Sequence, residues 1–82
     1  MQLLVINSTQ QKSHEIEWLE INTLQGNFVI QSEHAPTIFV LAPDSTVSYL
    51  AHGSQIATSL LIKQGVVEIT RARATLIITQ TS

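Results

Sequence analysis

Val66-Val67-Glu68-Ile69-Thr70-Arg71-Ala72-Arg73-Ala74-Thr75-Leu76-Ile77-Ile78-Thr79 reads as two β-runs around a short polar turn, and this reading decides the fold. Side chains of a strand alternate between two faces. Val67 and Ile69 therefore oppose Val66, Glu68 and Thr70, with Glu68 marking the wetter face. In the second run Ala74, Leu76 and Ile78 point one way, and Thr75, Ile77 and Thr79 the other.

The same character extends along the chain. Isoleucine, valine and threonine supply 25 of the 82 residues, and β-branched side chains suit a pleated, half-buried surface. No segment combines a sustained helical recurrence of apolar residues with a cap. Further strands are expected at Leu3–Asn7, Glu15–Thr23, Asn27–Gln31, Thr37–Ala42, Thr46–Leu50 and Gln55–Ile62. Gly26 offers a positive φ for a tight hairpin. Pro43-Asp44, His52-Gly53-Ser54 and Gln64-Gly65 read as the other turns, with Asp44 expected to bond back to the backbone. Thr37–Ala42 is apolar on both faces, which implies a central strand or one covered by another protein. Ile16, Leu19 and Ile21 share a face only if a bulge intervenes near Trp18. The expectation is a single all-β domain over residues 1–82: a two-sheet β-sandwich or flattened barrel of short antiparallel strands.

Composition narrows the function. A domain of this size buries only about 60–65% of the surface its unfolded chain exposes. It has no cysteine for a disulfide or thiolate site, so a permanent partner would relieve its marginal stability. Four basic residues against six acidic ones give a net charge of −2, too little cationic surface to neutralise nucleic-acid phosphates. The longest apolar run, Ile38-Phe39-Val40-Leu41-Ala42, is five residues, far short of a bilayer span. Met1–Ile6 lacks the basic start of a secretory signal, so membrane association is expected only through a partner.

Residues that could carry chemistry are scattered. His14, His34 and His52 lie 20 and 18 residues apart, whereas a metal site on a strand places ligands two apart. Turn histidines are the simpler reading. No activated-nucleophile motif occurs, and Gly26, Gly53 and Gly65 are too dispersed for a phosphate loop. Glu15, Glu17 and Glu20 read as a solvated strand face. Lys63 near a turn raises a lipoyl-type carrier, but it lacks that family's flanking residues. The expectations are no catalytic residue, no metal and no cofactor.

Gly26-Asn27-Phe28-Val29-Ile30-Gln31-Ser32-Glu33-His34-Ala35-Pro36 resembles the signature stretch of the epsilon subunit of rotary F-type ATP synthases: a glycine, a polar or acidic residue, an apolar run, then His-Ala-Pro. Ile16–Ile21 upstream, and Gly65–Ile69 with Ala74–Ile78 downstream, resemble the flanking blocks in order, so the likeness covers roughly residues 1 to 80. Lys63-Gln64-Gly65 and Arg71-Ala72-Arg73 depart from the glycine-rich turns that the family often has there. The resemblance implies a sandwich of about ten strands, bound to the gamma subunit and resting on the c-ring, that transmits torque and does no chemistry. It places Gly26 and Asn27 at the end meeting the ring, and His34, Ala35 and Pro36 nearer gamma. Asn27 stands where the family often has a carboxylate. The family's helical hairpin, which carries its ATP-contacting and inhibitory elements, has no counterpart before Ser82, so no ATP binding is expected. The implied location is peripheral, on the cytoplasmic face of a bacterial inner membrane. Two alternatives are an interaction module of an unrelated assembly and a small-ligand barrel using its histidines.

Overall fold

The computed structural model describes residues 1–81; Ser82, the last residue of the expected domain, lies outside the described residues. Seven strands carry all the regular structure described: β1 (Gln2–Ile6), β2 (Gln11–Thr23), β3 (Gly26–Ile30), β4 (Thr37–Val40), β5 (Ser45–Ala51), β6 (Thr58–Ile69) and β7 (Arg73–Thr81). The ladder runs β1-β7-β6-β5-β2 and closes through β1–β2, giving a flattened barrel, with β3 added to β2 and β4 to β6. Pairing is antiparallel except for β1 with β7, which run parallel. The all-antiparallel expectation fails at that one pair.

Two long strands explain why seven are seen where about ten were expected. β2 spans 13 residues, pairing β1 through its first part and β5 and β3 through its second. β6 spans 12 and pairs β5, then β4. Each is continuous through both layers of the sandwich. Where β2 changes partner, its register shifts between Ile16 and Trp18. This bulge changes the phase of the strand, so Ile16 is buried before it and Leu19, Ile21 and Thr23 after it, as the apolar spacing requires.

In β6 the corresponding irregularity falls between Ile62 and Gly65. Gln64-Gly65 is therefore no turn, and the two runs expected on either side of it form one strand. Gly65 is needed for close approach: a Cβ there would lie 2.9 Å from the Ile77 carbonyl oxygen and 3.3 Å from Ile62 Cγ2. Lys63 sits within the strand beside this bulge and not at a hairpin tip, which removes the carrier-domain geometry.

The turns at Gly26 (φ 128°) and Gly53 (φ 81°) adopt the positive φ their glycines permit. In the Pro43-Asp44 turn Asp44 takes φ 54°, and the local side-chain bond comes from Ser45 Oγ, which donates to the Ala42 carbonyl at 2.7 Å. Inside the barrel Leu3, Leu19, Ile21, Val47, Val67, Ala74 and Leu76 are fully buried. Each inward residue of the deciding stretch is where its alternation puts it.

Candidate docking surface

The five candidate interface residues occupy opposite ends of β3. At one end, Leu24 and Gln25 form the tip of the β2–β3 hairpin. Thr23 holds it: its Oγ1 accepts from the Gln25 amide and donates to the Gly26 carbonyl, both at 3.1 Å. Asn27 is exposed, and its Nδ2 donates to Glu20 Oε2 and Asn22 Oδ1, each at 3.0 Å. Asn22 Nδ2 in turn donates to the Thr46 carbonyl, tying the hairpin to β5.

At the other end, the tight turn falls at Ser32-Glu33, with Glu33 at φ 69°, and not at His34-Ala35-Pro36. Those three residues form the irregular lead into β4. His34 Nδ1 donates to the Ala35 carbonyl at 2.7 Å, and Thr37 Oγ1 donates to the same oxygen at 2.9 Å. The ring nitrogen of His34 is thus used in a local cap. Its ring also lies 6.2 Å from Phe39, which pairs with Phe28 at 5.1 Å. This aromatic contact closes the seam between β3 and β4. Gly26 and Asn27 thus begin β3, and His34, Ala35 and Pro36 follow beyond its far end at Ile30.

β4 pairs along its length only with β6, so it is an edge strand and not a central one. Its outward residues Ile38 and Val40 are 69% and 68% exposed. Register carries this apolar face across the sheet. Val40 opposes Val66, Val66 opposes Ile77, and Ile77 opposes Ile6. Residues directly opposite share a face, so four strands contribute one apolar row. A second row, Ile38, Glu68, Thr75 and Leu4, lies alongside and carries the single charge. Leu24, 83% exposed at the hairpin tip, joins Val40 and Val66 around a hollow of about 290 Å³ with Pro43 at its rim. The apolar face therefore runs on to the Gly26 end of the molecule. Alternation had marked Ile77 as outward and Thr37–Ala42 as two-faced, but only strand register brings Ile6, Val40, Val66 and Ile77 together.

Two of the acidic side chains on β2 are occupied locally. Glu15 pairs with the Met1 ammonium at 2.9 Å, and Glu17 with His52 Nδ1 at 2.8 Å, both near the surface. Among the described residues no three histidine, aspartate or glutamate side chains converge on a metal-sized site. No helix of the described residues is long and apolar enough to cross a membrane.

The closed all-β scaffold leaves an apolar sheet face uncovered, the kind of surface that marks interaction sites. The model of one family, described as the β-sandwich domain of the ATP synthase Delta/Epsilon chain, matches residues 1–81, and the chain belongs to that family. Similar solved structures include a chain in the central stalk and c-ring structure of the Tetrahymena thermophila mitochondrial ATP synthase. It has a TM-score of 0.83 at 13% identity, over 98% of this chain and 63% of that one. Another is a chain in the OSCP/F1/c-ring structure of the Euglena gracilis mitochondrial ATP synthase, with a TM-score of 0.85 at 16% identity, over 98% and 51%. This chain thus spans between half and two thirds of those chains, and at such identity the likeness is one of fold. No curated protein matches the sequence significantly.

Proposed function

We propose that this domain is a non-catalytic central-stalk subunit of a rotary F-type ATP synthase, joining the gamma subunit to the c-ring and so coupling ion transport to ATP synthesis. The observation that carries the reading is the uncovered apolar face of β4, β6, β7 and β1 in a chain of the Delta/Epsilon family. Burying a valine or isoleucine side chain contributes about 1.5–3 kcal/mol. A handful of such side chains supports a lasting attachment even after ordering costs. In this reading the face, with the His34-Ala35-Pro36 segment beside it, meets gamma. The Leu24–Asn27 hairpin meets the polar loops of the c-ring, where Asn27 offers hydrogen bonds but no charge. Torque passes through a body stiffened by its closed ladder, and no step of chemistry is required of it.

The attachment is peripheral, held by protein contacts, on the cytoplasmic face of a bacterial inner membrane. Co-purification of the tagged chain with its cognate gamma subunit tests the reading. Capture of gamma by the native chain and loss of capture by Val40→Lys supports it; equal capture by both removes the proposed face.

A further inference from the structure

At the end of the barrel near the β1–β2 connection, the inner face of β2 breaks the apolar pattern. Lys12 lies opposite Val5 and His14 opposite the fully buried Leu3, so both stand on the register that continues into the buried Ile16, with His14 half-buried and Lys12 exposed at the open end. Between the layers there opens a cavity of about 330 Å³, lined by Val5, Lys12, His14, Tyr49, Leu60 and Ile78 among others. Tyr49 is 7% exposed, and its ring lies 5.2 Å from that of His14. Among the described residues, the side chains of Lys12, His14 and Tyr49 make no hydrogen bond or ion pair, although every other histidine does. No acidic residue lines the cavity.

Departures of polar side chains from the packing pattern are expected at functional or strained sites. Small ligands are held in apolar hollows of this size by a few converging polar groups. Here one ammonium supplies one positive charge, with a phenol and an imidazole beside it; Asn7 and Gln10 add two amides, and the rest of the lining is aliphatic. That combination matches a monoanion with an alkyl body. We propose that this cavity binds a medium-chain alkyl carboxylate, its carboxylate on Lys12 and Tyr49 and its chain along Val5, Leu60 and Ile78. The site lies on the inner face and is independent of the outer docking face and of the stalk reading.

The test is an amide-resolved NMR titration of the chain with sodium octanoate, with acetate and 1-octanol as controls. Octanoate should produce saturable shifts at Lys12, His14, Tyr49 and Leu60 with a Kd below about 1 mM. Acetate lacks the chain and octanol the charge, so each should bind at least about tenfold more weakly. Lys12→Gln, a change at an exposed side chain, should lose about tenfold in octanoate affinity, the scale of one charge-assisted bond. Tyr49→Phe, which removes only the hydroxyl, should lose several-fold. The proposal is overturned by an absence of saturable shifts, by equal responses to octanoate and either control, or by full affinity in Lys12→Gln with an unchanged spectrum.

Discussion

Replacing Gly65 by alanine tests the bulge that lets β6 run through both layers. The added methyl would sit 2.9 Å from the Ile77 carbonyl oxygen, 3.3 Å from Ile62 Cγ2 and 3.4 Å from Leu41 Cδ1. The last is ordinary contact, and the second is relieved by a small side-chain shift. The first is not, because the carbonyl belongs to the ladder that pairs β6 with β7. The amide of Leu41 also donates to the Gly65 carbonyl at 3.0 Å, so the glycine cannot retreat without stretching that bond. Overpacking of this kind costs about 1–3 kcal/mol. Loss of unfolded-chain entropy on going from glycine to alanine returns about 0.4–1 kcal/mol. The net is a destabilisation of about 0–2.6 kcal/mol with a middle value near 1.3, which for a domain of this size lowers Tm by roughly 5–10 °C. Urea denaturation of the two proteins, with the slope unchanged, measures it directly. An alanine variant more stable than the native chain would refute the close approach and return Gly65 to the open turn its sequence context suggested.

Neighbours on opposite faces of β7 should behave oppositely. Leu76→Ala, at a fully buried site, should cost about 2–5 kcal/mol in urea denaturation, whereas Ile77→Lys, on the outer face and 36% exposed, should cost less than that and abolish capture of gamma. His34→Ala removes the bond to the Ala35 carbonyl and should lower gamma affinity by about 1 kcal/mol in calorimetry. Asn27→Lys should weaken attachment to the c-ring in a membrane-binding assay and leave gamma binding intact; the reverse outcome would invert the proposed orientation. Calorimetry with ATP should show no binding tighter than about 1 mM, since the chain has no phosphate-cradling loop.

What the sequence made legible was alternation. The faces of Val66–Thr79 and the phase change between Ile16 and Leu19 follow from a period of two, which needs no knowledge of partners. The glycine at 65 was misread because glycine marks both positive φ and close approach, and only the neighbouring Ile77 carbonyl tells the two apart. The parallel β1–β7 pair was hidden for a similar reason, since strand direction is set by the path of the chain between strands. The docking face was half visible. Ile38 and Val40 stood out within a doubly apolar strand, but Ile6 and Ile77 join them only through registers linking residues far apart in sequence. His34 was flagged by its motif, while its bond to Ala35 and its place over Phe39 are matters of side-chain geometry.

The central claim is that the outer face of β4, β6 and β7 is covered by gamma. The chain has no cysteine, so single cysteines introduced as Val40→Cys, Ile77→Cys and Ser54→Cys each report one position. Maleimide labelling with and without the cognate gamma subunit reads the coverage. The account predicts that gamma protects the cysteines at positions 40 and 77 and leaves the one at position 54, in the β5–β6 turn, freely reactive. Unchanged labelling at 40 and 77 in a complex that has formed would contradict it.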